Sequence, residues 1–394
     1  MHEWELCSFN DLTYPSGEKN KNNFPYTSFS ISNENGFFPQ DEQFQNGGTM
    51  RNANKAMYSI VSPKSFAYNP ARINVGSIGY YDSPKNVIVS SLYEVFKTTK
   101  RVDDTFLWFW FKTFSFRKII EQYQEGGVRL YFFYDKLCRC QIALPEVEEQ
   151  IKIGSIIQNI DKLIKLHQYR YDKLNALKKA MLEKMFPQKG TDVPEVRFKG
   201  FIKKWEKKKF KDNIISIQTG TALLGSINNS GMPLIKMGNI QRGYFSLDKV
   251  ESLSRNDEIE KENIVNFGDF LFNTRNTLEL VGKGATWVGE SGKFAFNNNI
   301  ARFTFQGIDT VFFNYLYNTQ YLIKQVQARA MGTTSVAAVY PHSLNSIEYS
   351  LPSIEEQKQI GDFFYKLDSK ILQDKRELDK LKKLNKAFLE KMFI

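Results

Sequence analysis

Apolar residues recur at alternating steps of four and three in two distant stretches of the chain. One runs Ile153, Ile157, Ile160, Ile164, then Tyr171 and Leu174; the other runs Ile360, Phe364, Leu367, Ile371, then Leu378 and Leu381. A 3.5-residue period held over about five turns predicts a long helix with a narrow seam that packs on another helix. Neither helix can bury its seam alone, so pairing the two with each other is the economical solution. His167 and Asp374 interrupt the two rows at the same position. If the helices pair antiparallel about a pseudo-twofold axis, His167 and Asp374 should meet near the centre and fix the register. The alternative is that both point outward at a local stutter.

Elsewhere the pattern is of short strands between Gly and Asn turns. Asn86-Val-Ile-Val-Ser-Ser91, Asn299-Ile-Ala-Arg-Phe-Thr-Phe305 and Gly231-Met-Pro-Leu-Ile-Lys-Met237 read as strands. Residues 106–120 and 311–330 carry apolar side chains at helical spacing. Without a repeating βαβ rhythm, the fold class is α+β.

The two long helices belong to an internal repeat. Residues 144–186 and 351–393 align without a gap and share 20 identities in 43 positions. Both open with Leu-Pro, carry Glu-Glu-Gln (Glu148-Glu149-Gln150 and Glu355-Glu356-Gln357), and close on Leu-Glu-Lys-Met-Phe. A helix-start proline lacks an N–H the first turn would not use, and acidic residues suit the positive end of the helix dipole. Weaker echoes precede the copies: Trp4-Glu5 with Trp205-Glu206, and Asp104-Thr105 with Asp309-Thr310. The expected organisation is a globular domain at 1–143, a helix at 144–186, a Pro- and Gly-containing linker at 187–204, a second globular domain at 205–350 and a second helix at 351–394. The Lys-rich outer helix face (Lys178-Lys179, Lys382-Lys383) reads as solvated.

The 394 residues are 42% hydrophobic and 14% aromatic, which excludes general disorder. Fifty-four Lys+Arg against 43 Asp+Glu leave a net charge of +11, which favours a polyanionic partner, nucleic acid before membrane. Three cysteines, Cys7, Cys138 and Cys140, make neither a disulfide framework nor a zinc spacing. No signal peptide or bilayer-length apolar run is visible, so the cytoplasm is the expected location.

Motifs for catalysis are missing. Val281-Gly-Lys-Gly284 and Glu290-Ser-Gly-Lys-Phe294 fail the phosphate-loop spacing. Asn69-Pro-Ala-Arg72 lacks the second proline and aromatic of an amino-methyltransferase loop. His2, His167 and His342 support no triad or metal pattern. The chain therefore reads as a non-catalytic binder of nucleic acid. Loops rich in Asn, Arg, Thr and Gly occur in both domains: 68–76, 273–277 and 332–335. Arg pairs with guanine, Asn with adenine, and Ser or Thr with phosphates. Arg72, Asn74, Arg129, Lys236, Arg275, Asn276, Arg329 and Thr333 are the candidate DNA contacts; for any one of them a turn or capping role competes.

The doubled Leu-Pro-x-x-Glu-Glu-Gln-x-x-Ile-Gly openings, the Leu-Glu-Lys-Met-Phe endings and the linker Val193-Pro-Glu-Val-Arg-Phe-Lys-Gly-Phe201 resemble the specificity (S) subunits of type I restriction–modification enzymes over essentially the full length. The resemblance implies two target-recognition domains, each reading half of an interrupted duplex target, spaced by an antiparallel coiled coil. It implies two modification (methyltransferase) subunits docking along the helices, and restriction subunits beside them. S-adenosylmethionine, ATP and magnesium would belong to those partners, with no cofactor or metal in this chain. The first domain departs from the pattern: no Val-Pro-Glu-Val-Arg-Phe lead-in precedes Trp4. A stand-alone DNA scaffold without catalytic partners, or a coiled-coil adaptor for proteins, are the competing readings.

Overall fold

The computed structural model describes residues 4–33, 36–43, 55–188, 190–333 and 335–393; His2 and Thr334 lie outside them. The chain forms two compact units, residues 1–168 with 376–394, and residues 169–375. Both divisions fall within long helices, Val147–Lys184 and Ile354–Lys391. Each unit thus holds one globular domain, the front of the helix that follows it, and the back of the other helix. The helices start three residues later than the repeat, because Leu144 and Leu351 still belong to strands Gln141–Leu144 and Glu348–Leu351. Those strands are claimed by antiparallel pairing with Glu5–Ser8 and Glu206–Lys209.

Both units are mixed α+β and share the order of their main elements. In the first, a four-stranded antiparallel sheet runs Thr13–Pro15, Glu94–Thr98, Ser65–Tyr68, Ile78–Tyr81. In the second it runs Ile214–Thr219, Ile300–Phe305, Phe270–Asn273, Gly284–Thr286. Beside each lies a second sheet, of four strands in the first unit and three in the second, with one parallel pair, Ser28–Ser32 with Val87–Val89 and Pro233–Ile235 with Ala295–Phe296. These include the three strands expected from sequence.

The helical stretch expected at 106–120 is two helices, Asp104–Trp110 and Phe114–Tyr123. Likewise 311–330 divides into Thr310–Tyr317 and Gln320–Gln327. A threonine makes each break. The Thr113 hydroxyl donates to the Trp110 carbonyl and accepts from the Phe116 amide; Thr319 does the same with Leu316 and Leu322. A side chain that caps one helix and closes another ends the first.

The repeat motifs are the joints between helix and domain. Asp309 caps its helix by accepting from the Phe312 amide, and Asp103 accepts from Phe106, both at 2.8 Å. Asp103, not Asp104, is therefore the counterpart of Asp309. Asp104 instead accepts from Tyr80 and Thr98. The Asp103 and Asp309 amides donate to Gln150 and Gln357 Oε1 at 2.8 and 2.9 Å. Each Gln amide nitrogen donates to its own helix-start proline carbonyl, Pro145 or Pro352. Four residues on, Gly154 and Gly361 leave no room for a side chain: a Cβ would sit 2.9 Å from the Phe106 or Phe312 amide nitrogen.

The Leu-Glu-Lys-Met-Phe endings complete the cores. Phe393 packs on Phe106, which meets Trp4 edge-on, all in the first unit. Phe186 packs on Phe312 and Trp205 in the second. The seam residues take part in the same cores. Ile153 and Ile157 lie in the first domain's core, and Ile360, Phe364 and Leu367 in the second's, with Tyr315 stacked on Phe364. Ile160 is buried, and Ile164 and Ile371 are half-buried. The front of each seam thus serves its own domain as well as the neighbouring helix.

Within each unit the two helices run antiparallel. In the first, the Asn385 amide donates to Asp161 at 2.8 Å and the Lys382 ammonium to Gln168. In the second, Lys178 pairs with Asp368, and Arg170 reaches Asp374 at 3.6 Å. Asp161 and Asp368 are repeat equivalents, as are Lys178 and Asn385, so one contact is made twice. Asp374 is buried and meets the guanidinium one turn beyond His167, which is itself half-buried.

Candidate nucleic-acid interface

Two of the three loops singled out by composition occupy one topological place. The segment containing Arg72 and Asn74 joins strands Ser65–Tyr68 and Ile78–Tyr81; the segment containing Arg275 and Asn276 joins Phe270–Asn273 and Gly284–Thr286. These are the same two strands of the equivalent sheets. A left-handed glycine closes each turn before the second strand, Gly76 at φ 90° and Gly282 at φ 74°.

A second loop docks on the first in each unit. It follows the second short helix and carries Arg129 in one domain and Thr333 in the other. The Phe132 amide donates to the Pro70 carbonyl at 3.0 Å, and the Val339 amide to the Thr274 carbonyl at 2.9 Å. In the second domain the contact extends into a ribbon, with Arg275–Asn276 paired to Ala337–Ala338 and that strand to Met331–Gly332. Arg72, Asn74, Arg129, Arg275 and Thr333 are exposed on these loops, and Asn276 is half-buried with its side chain accepting from the Thr277 amide. Thr333 also shapes its own turn, accepting from the Val336 amide.

Two candidates are engaged inside the domain. Lys236 pairs with Glu251, so much of its charge is locally neutralised. Arg329 donates to the Ser346 hydroxyl and carbonyl and to the Gln325 carbonyl, stapling the end of its helix to the segment before Glu348. A guanidinium held by three acceptors is committed to the fold.

Other cations stand beside the loops. Asn74, Trp108, Lys112, Arg117 and Lys165 line one cleft of about 920 Å³ in the first unit. Burial, and then Lys165, pull the Lys112 ammonium below its ordinary pKa, against the opposing pull of Asp161. In the second unit the Arg242 guanidinium donates to the Glu279 carbonyl, on the same loop as Arg275. Burial and the neighbouring Arg242 depress the pKa of Lys283. Lys112 is ion-paired with Asp161 at 3.6 Å, much as Lys236 is with Glu251, and Lys283 donates to the Gln241 side chain, whereas Arg117 and Lys165 are exposed. Sequence composition missed these cations because Lys112 and Arg242 lie outside the Gly/Asn-rich stretches. Among the described residues no cluster of His, Cys, Asp and Glu could hold a metal ion, and no helix is long and apolar enough to cross a membrane.

The family model for the type I restriction modification DNA specificity domain matches the chain twice, over residues 5–176 and 202–383. A curated relative, the type I restriction enzyme MjaVIII specificity subunit of Methanocaldococcus jannaschii, is 24% identical over 338 residues, covering 80% of this chain and 75% of that protein. The solved S subunit of a type I restriction–modification system from M. genitalium has the same fold, with a TM-score of 0.60 at 12% identity over 99% of this chain and 96% of that one. With one specificity domain matched on each of two units of one topology, this chain belongs to the type I restriction–modification DNA specificity family and is a specificity subunit.

Proposed function

We propose that each globular domain reads one half of an interrupted duplex DNA target. The carrying observation is the repeated pair of docked loops, which presents Arg72, Asn74 and Arg129 in one unit and Arg275, Asn276 and Thr333 in the other. Arg and Asn side chains on paired loops suit base edges, and the flanking Arg117 and Lys165 suit phosphates. The helices, about 57 Å long at 1.5 Å per residue, set an outer limit of roughly 17 base pairs on the half-site separation. The reading has the chain perform no chemistry itself. Two modification subunits would bring S-adenosylmethionine, and restriction subunits ATP and magnesium, to the DNA it selects.

The test is an exchange. Residues 205–350 are replaced by the corresponding domain of another family member, and methylated sites are mapped after assembly with the modification subunits. One half-site should change and the other persist. If both changed together, the independent-reader model would fail.

A further inference from the structure

The second loop ends in the same way in both units. Phe132 and Val339, whose amides dock on Pro70 and Thr274, are buried, and strand-like alternation turns the next residue outward. That residue is Phe133 in one unit and Tyr340 in the other, 207 residues apart, as are Leu144 and Leu351. The two rings are 42% and 45% exposed. Each is steadied by a neighbour: Phe133 stacks on Tyr131 with centroids 5.4 Å apart, and Tyr340 on His342 at 5.7 Å.

Local stability does not call for a ring at either place. Both residues stand at the cap position of a short helix, Tyr134–Arg139 or Pro341–Leu344, and neither side chain makes a capping hydrogen bond. Four neighbouring short helices begin at Asp103, Thr113, Asp309 and Thr319, each bonded to its own first turn. A residue of that kind would cap these starts and leave no apolar ring in water, so both copies forgo the cap for an aromatic. Just ahead of each ring the loop turns back on itself, through Glu125 with Tyr131 and through Met331–Gly332 with Ala337–Ala338. Each turn carries a further exposed apolar residue, Val128 or Val336. Apolar groups thus stand beside the loops of Arg72 and Arg275 in both units.

We propose that Phe133 and Tyr340 determine specificity by packing on the 5-methyl groups of thymines in the major groove, one ring in each half-site. This contact lies within the half-site reading above and rests on it. A net charge of +11, with arginines on the adjoining loops, selects DNA as the occupant. A stacked duplex offers no free base face, and the apolar group it presents in the major groove is the thymine methyl.

The probe is a duplex bearing the site that the assembled complex methylates, with each thymine replaced in turn by uracil, which lacks only the methyl. One replacement in each half-site should weaken binding by about fourfold, the contribution of one buried methyl group. Phe133→Ala should abolish that preference in one half-site and Tyr340→Ala in the other, while both variants melt as the parent does. A parent complex indifferent to every replacement would overturn the proposal. So would alanine variants that keep the thymine preference, whether or not they lose stability. These outcomes leave the half-site reading intact where the exchange of residues 205–350 still alters one half-site; where that exchange alters both, the proposal falls with the reading.

Discussion

The side chain of Gln150 accepts the backbone N–H of Asp103 at 2.8 Å, which fixes the first long helix to the capped start of a short helix 47 residues earlier in the chain. Its amide nitrogen is spent on the carbonyls of Pro145 and Arg101. Gln357 repeats the arrangement with Asp309, Pro352 and Gly307. Both glutamines are 1% exposed. Replacing either by alanine strands a buried donor and two acceptors, so Gln150→Ala and Gln357→Ala should each destabilise their unit by about 1–3 kcal/mol or more. Denaturant titration checks this, and a shift below a few tenths of a kcal/mol would show that water satisfies the groups.

Gly154→Ala and Gly361→Ala should behave as overpacking. The added methyl meets backbone, which cannot rotate away, so the helix must lift from the domain at a cost of roughly 1–3 kcal/mol. In a helix interior the same substitution is otherwise worth nearly 1 kcal/mol of stabilisation. A net gain in melting temperature would mean that the two backbones are farther apart than described.

Binding to duplex DNA should sort the eight sequence candidates. Arg72→Ala, Arg129→Ala and Arg275→Ala should weaken binding without lowering stability. A base contact costs about 1–3 kcal/mol and relaxes one target position; a phosphate contact lowers the salt slope by about one. Arg329→Ala should instead lower the melting temperature, since its guanidinium holds Ser346 and Gln325. Affinities measured across a salt series, beside thermal melts, separate the two groups.

Burial holds all three thiols above their ordinary range, and pushes Cys140 up to about 12 from 9. Little thiolate exists at pH 8, so alkylation of the folded protein should be slow and should accelerate on unfolding. The sign for stability follows from the raised folded value. The unfolded chain releases the Cys140 proton first, so this contribution is whole below about pH 9 and is lost as pH rises toward 12. Stability that stayed flat from pH 8 to 11 would contradict it.

The helices and the duplication were legible because a 3.5-residue period and two near-copies are local, linear signals. The Gln and Gly identities were equally visible, but their work was not: Gln150 acts on an amide 47 residues away. The Asp103-Asp104 doublet shows the same limit. Matching Asp-Thr to Asp-Thr chose Asp104, whereas the cap is the aspartate three residues before Phe106. Composition also marked the loops around Arg72 and Arg275, yet could not tell an open cation from one already bonded, as with Arg329 and Lys236. The pairing of each loop with a second, through Pro70 with Phe132 and Thr274 with Val339, is a tertiary fact without a local signature.

The placement of Phe393 in the first unit's core dictates an order of events during synthesis. A ribosome finishes residues 4–168 long before it adds 388–393, so the first domain is made while Trp4 and Phe106 still lack their third ring. The second domain has no such delay for its aromatic closure, because Phe186 precedes it. The first domain therefore borrows its closing ring from chain made after it, and the second from chain made before it, so a truncation that removes 388–393 should loosen the domain farthest from it in sequence.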